Sequence, residues 1–178
     1  MTLAATFTEL FDRMPALVRD AVGGLSADDL ARRIDPGANT VAWLIWHLTR
    51  VEDDHVAAAA AVLGRVELAE QAYTTDGFVD RFALPFPPEA HGYGMTTEQV
   101  GQVRADGDLL VGYYDAVHAR TIAFLDGLAE ADWGRVVDER WDPPVTLLVR
   151  MASVANEVAQ HVGQAALVRG VVERTGGA

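Results

Sequence analysis

Glu157 and His161 stand four residues apart in RMASVANEVAQHVGQAALVRG, a spacing that projects both side chains from one helix face a single turn apart. Val154, Ala165 and Val168 share that face, so it points inward, where a carboxylate is costly unless it is paired or bound to a metal. As a pair, the two read as a buried Glu–His hydrogen bond. His47 changes the chemistry on offer. It lies on a second apolar stripe, Thr40, Trp43, Leu44, His47 and Val51; alone it reads as a core histidine with a hydrogen-bond partner. Together the three provide two imidazoles and one carboxylate, the ligand set of a catalytic divalent-metal site with one position open to water or substrate. A structural zinc site is normally closed by a fourth protein ligand, often Cys, and the chain contains no Cys. That absence also excludes disulfides and a cysteine nucleophile, so any thiol chemistry here would have to use a thiol brought in as a ligand.

Further side chains are candidates for orienting a ligand or contacting a cosubstrate. Trp43 lies one turn before His47, and Arg50 and Asp54 follow it. Asp54 reads either as a partner that orients a ligand or as one half of an i,i+4 ion pair with Arg50. Gln164, three residues after His161, either faces the site or caps a neighbouring backbone group. Arg150 and Arg169 suit an anionic cosubstrate, and Arg169 equally suits a solvated helix end. Gly163 costs stability in mid-helix and points to close approach of another helix or a ligand. His91 and Tyr93 fall in a long irregular segment; His55 and His118 read as surface or helix-face residues.

The elements that must hold these residues read as helices. Leu3, Phe7, Leu10, Met14, Leu17 and Ala21 recur every three or four residues, with Pro15 predicting a kink. A second helix is expected from Thr40 to Gly64, capped by Asn39 or Thr40, and its Ala-rich end lets a neighbour come close. Asp106 or Asp108 caps a third, with the stripe Leu110, Tyr113 or Tyr114, Val117, Thr121, Phe124 and Leu128. Asp142-Pro143-Pro144 breaks the chain, and Thr146 caps a last helix that runs to about Arg174. No strand pattern of convincing length appears. Four long helices predict one all-α domain over residues 1–178, a four-helix bundle with a long crossover between helices 2 and 3. That crossover, Arg65 to Met95, is rich in Pro, Gly and aromatics, and reads equally as a functional lid or a packed surface segment. Trp133 and Trp141 either close the core or supply a homodimer interface.

Charge narrows the partners. The chain carries 26 acids against 14 bases, all of them Arg, for a net charge of −12. Phosphate backbones and anionic membrane surfaces are therefore disfavoured as partners. The start MTLAATFTELFDR lacks the basic opening of a secretory signal, and the apolar run Val56–Leu63 is too short to span a bilayer. A soluble cytoplasmic protein is expected.

The segments NTVAWLIWHLTRVEDDH, GYGMT, LLVGYYDAVHART, RWDPPVTLLVR and NEVAQHVGQAALVRG resemble the DinB/YfiT-like superfamily, and within it most closely the actinobacterial mycothiol S-transferases, over nearly the whole chain. The resemblance implies a four-helix bundle whose metal is held by one His from the second helix and two ligands from the fourth. His47 and His161 match two of these positions. Many members carry a third His four residues before the position of His161; this chain has Glu157 there, like the mycothiol-dependent maleylpyruvate isomerases, whose ligands are His, Glu and His. Those isomerases carry an extra domain after the bundle, so the length favours the S-transferase type. The implied cofactor is a divalent metal, zinc first, with mycothiol as cosubstrate and a small electrophile as its partner. The same site in other hands would serve isomerisation or hydrolysis, and a non-catalytic, stress-related metal-binding bundle is the reading from another class.

Overall fold

A computed structural model describes residues 2–175. Two short helices, α1 (Leu3–Asp12) and α2 (Met14–Val22), form the first arm of a bundle. Pro15 sits in the first turn of α2, so the expected kink is a full break at Arg13. A single turn, α3 (Ala27–Leu30), is capped by Ser26 and precedes α4 (Val41–Val62), capped by the Thr40 hydroxyl rather than Asn39. The crossover holds α5 (Ala72–Thr75) and α6 (Phe78–Phe82); α7 (Thr97–Gln102) leads to α8 (Gly107–Asp126), capped by Asp106. A two-stranded antiparallel ribbon, β1 (Val136–Asp138) with β2 (Val145–Thr146), precedes α9 (Leu147–Thr175). The arm α1–α2 and α4 occupy opposite corners, each packing on both α8 and α9. This is the expected all-α four-helix bundle. Among the described residues no helix is long and apolar enough to cross a membrane.

Several expectations need correction. In the first arm Phe7, Met14 and Ala21 are buried as expected, but Leu10 and Leu17 are 41% and 45% exposed and their places on the core side go to Phe11 and Val18, which continue a regular four-three spacing through the break at Arg13. The ribbon is too short to have announced itself by alternation. Trp133 is buried and stacks on Phe7 with ring centres 5.2 Å apart, so it closes the core, while Trp141 is 64% exposed.

α4 is unusual in being buried on every side over Val41–Asp53. The crossover covers the face that the bundle leaves open, and buried charges fasten it there. Arg50 Nε donates to the Ala90 carbonyl at 3.1 Å and Nη2 to the Pro88 carbonyl at 3.0 Å. Its Nη1 donates to Gln71 Oε1 and to the Tyr113 hydroxyl, at 2.8 and 3.2 Å. The Asp53 carboxylate accepts the Ala72 and Tyr73 amides and the Tyr113 hydroxyl, each at 2.9 Å. Arg65 donates to the carbonyls of Phe124 and Ala123 at the end of α8. A segment tied at so many points is a fixed wall, which decides against the lid. It also reassigns Arg50 and Asp54: Arg50 holds the wall, and Asp54 accepts from Gln71 Nε2 at 2.9 Å instead of orienting a ligand.

Candidate metal centre

α4 supplies one imidazole and α9 supplies an imidazole and a carboxylate, with His47 facing Glu157. Ligand atoms from His47, Glu157 and His161 lie within 4.8 Å of one another. His47 Nε2 is 3.4 Å, and His161 Nε2 3.2 Å, from the same Glu157 oxygen, Oε1. The other nitrogen of each ring is committed elsewhere. His47 Nδ1 meets the His91 carbonyl at 2.5 Å, and His161 Nδ1 meets Gln164 Oε1 at 3.0 Å. A carbonyl oxygen only accepts, so each Nδ1 carries a proton, and the remaining nitrogen, Nε2, is the atom each ring turns toward the carboxylate, a bare lone pair whenever the ring is neutral. With both rings neutral, the two lone pairs and the carboxylate are acceptors that a cation between them would join. Burial disfavours the protonated form of His47, pushing its pKa below the ordinary value; the His91 carbonyl and Glu157 oppose this, and the neighbouring His161 ring, which would repel a second protonated imidazole, adds to it. A divalent cation satisfies all three acceptors, and outward Nδ1–H bonds are the arrangement that orients imidazole ligands. The residues fit a metal.

The surroundings shape access. Trp43 stacks on the His47 ring at 4.5 Å and stands edge-to-face with the His161 ring at 6.2 Å; its Nε1 donates to Met95 Sδ at 3.4 Å. Gly92, at φ 106°, lets the crossover pass directly beneath His47, and a Cβ there would collide with the imidazole. Tyr93 reaches the triad: its hydroxyl donates to Glu157 Oε1 at 3.1 Å while the residue remains 53% exposed. Burial and the Glu157 charge push the Tyr93 hydroxyl well above its ordinary range, which keeps it a donor. The side chains of Glu157 and His161 are 23% and 16% exposed against 3% for His47, so the triad is walled on the α4 side and open on the α9 side.

Of the residues singled out by sequence, Trp43, Tyr93 and Gln164 gather at the triad with its three members. Arg150 does not touch it; its Nη2 pairs with Asp138 Oδ2 at 2.6 Å. Arg169 lies at the far end of α9, paired with Glu173 and the Asp20 carbonyl. Gly163 meets no close neighbour but opens onto a cavity of about 730 Å³ between α2 and α9, which none of the triad lines. Sequence reasoning missed the His91 carbonyl, the Gly92 cradle and the buried acids Glu52 and Asp53. Only Gly92, inside HGYG, left a signal to find.

A family model described as the DinB superfamily matches residues 10–165. Among solved structures, the crystal structure of a conserved protein from Enterococcus faecalis superposes with a TM-score of 0.86 at 27% identity, covering 98% of this chain and 99% of that one. No curated protein matches the chain.

Proposed function

The chain belongs to the DinB superfamily, and on that premise we propose that it is a metal-dependent S-transferase that conjugates a low-molecular-weight thiol, mycothiol, to small electrophiles. The observation that carries this reading is the convergence of two imidazole lone pairs and one carboxylate on a point open to solvent. His47, Glu157 and His161 would hold a divalent ion, zinc being the favoured one for this ligand set, and it would supply a lowered pKa to a thiol bound there, so that thiolate would be available at neutral pH. The chain's own residues do the rest. His91 and Gln164 fix the rings, Trp43 walls off one side, and Tyr93 holds Glu157 from the solvent side with its hydroxyl as donor. The chain lacks Cys, so the nucleophilic sulfur is the cosubstrate's. With an aryl chloride as electrophile, the new S–C bond replaces C–Cl, chloride departs, and the thiol proton goes to solvent.

The test is turnover of mycothiol with a chlorodinitrobenzene by metal-replete protein. Conjugation should stop on chelation while the helical circular-dichroism signal persists, return on adding zinc, and disappear in His47→Ala. The pH profile of kcat/KM should show an apparent pKa clearly below that of the free thiol. No turnover in a fully metallated sample across several electrophiles would overturn the reading and leave a non-catalytic metal-binding bundle.

A further inference from the structure

The outward face of α9 is unlike the rest of the surface. None of its nine exposed positions from Ala152 to Leu167 is ionisable, whereas the first arm exposes Glu9, Asp12, Arg13, Arg19 and Asp20. Large apolar side chains stand in solvent along it: Leu167 is 65%, Val149 55% and, across on α2, Leu17 45% exposed. Between Leu17 and α9 runs the groove of about 730 Å³, floored by Ala159, Gly163 and Ala166. Its ionisable members, Arg19, Asp20 and Arg169, stand together at the end where Arg169 meets the Asp20 carbonyl. Ala152, Asn156, Ala159, Gly163, Ala166 and Gly170 recur at alternating spacings of four and three, the heptad rhythm of a helix that packs along another. The opposite seam, from Leu147 to Val172, already serves the bundle. Gly163 costs α9 stability in mid-helix, and no contact within the chain explains it, since a Cβ there would meet nothing within 4 Å.

Charge selects the occupant. At net charge −12, two copies repel wherever acidic surfaces meet, and this face lets them approach without setting like charges together. A cationic partner would find its attraction on the acidic surface instead. The face also matches itself. α9 spans Leu147–Thr175, so its midpoint is His161. A two-fold axis crossing there, with the helices antiparallel, sets Gly163 against Ala159 of the second copy, Ala166 against Asn156 and Gly170 against Ala152. Each of these layers is small, so the helix axes can close to about 8 Å. Together α2 and α9 present a face about 30 Å long and about 20 Å wide, a footprint that suits the roughly 800 Å² per partner of a stable interface. Glu157 projects about a third of a turn round α9 from Gly163, so pairing here leaves the mouth of the triad open.

We propose that the protein is a two-fold dimer in which α9 packs antiparallel on α9 of a second copy, covering the groove beside α2. The proposal is independent of the S-transferase reading.

Sedimentation equilibrium of the full chain should give twice the chain mass. The dissociation constant should fall as salt rises from about 0.05 to about 0.5 M, because screening relieves the repulsion between the acidic surfaces. Gly163→Glu should raise it at least a hundredfold with the helical circular-dichroism signal unaltered, since the new side chain enters open space and a good helix former replaces a poor one. The absence of Cys makes the geometry directly readable. Under oxidation, Asn156→Cys protein mixed with Ala166→Cys protein should form the mixed disulfide. Neither should couple to itself, because the two equivalent positions lie about 15 Å apart along the axis, beyond the reach of the bond. A monomer throughout the accessible concentration range, a dimer that salt loosens, one indifferent to Gly163→Glu, or a disulfide between two copies of Asn156→Cys would each overturn the proposal. The first of these would leave the face to a partner of another kind.

Discussion

Each imidazole of the triad has its proton held away from the carboxylate, and the two holders differ in kind: a backbone carbonyl for His47 and a side-chain amide for His161. Only the second can be deleted without touching the backbone. Gln164→Ala, at an exposed position, should therefore lower metal affinity about 10- to 100-fold, the usual effect of removing a ligand's outer partner, with stability little changed. Competition with a chelating dye measures it; unchanged affinity would show that His161 needs no orienting bond. The triad was legible because Glu157 and His161 share a helical face and His47 interrupts an apolar one. Gln164 was legible by the same periodicity. Arg50 and Asp54 were misread because their partners, Pro88, Ala90 and Gln71, lie in an irregular segment whose path no periodicity reports.

At the level of elements, the crossover is a wall fastened by buried charge. Arg50 is fully buried with four partners, and Asp53 accepts three hydrogen bonds. Breaking one side of such an arrangement leaves the other uncompensated, at about 3–5 kcal/mol. Arg50→Met should cost that much in urea denaturation and, by releasing Ala90 beside His91, should weaken metal binding as well. A loss under 1 kcal/mol would mean that the crossover stands without the guanidinium. The bundle itself was readable from helical periodicity, because α8 and α9 show one wet face each. α4 was only half readable. A helix buried all round carries no stripe, and the second layer that buries it is made of short turns and loops.

For the whole molecule, pH acts through a group remote from the triad. Glu52 is completely buried, its Oε1 accepting from Thr121 at 2.7 Å, and burial pushes its carboxyl up to about 7. Between its ordinary value near 4.5 and that pH, the unfolded chain has released the proton and the folded one has kept it. Stability from this group therefore falls as pH rises through the window and is flat above it, by up to about 3 kcal/mol. His47 and His55, both held low by burial, act in the opposite sense over the same range, so the comparison must be with a variant. Glu52→Gln should match the parent's melting temperature at pH 4.5 and exceed it at pH 8; equal values at both would remove Glu52 as the cause. With net charge −12, no saturable, salt-sensitive shift of a random DNA duplex is expected at physiological salt. The separation of the ligands along the chain also sets an order of events. His47 leaves the ribosome roughly a hundred residues before Glu157, about 5–20 s at ordinary synthesis rates. Throughout that interval His47 is the only member of the triad that has been made, so an ion held by all three would be taken up after α9 has docked and not as a template for its folding.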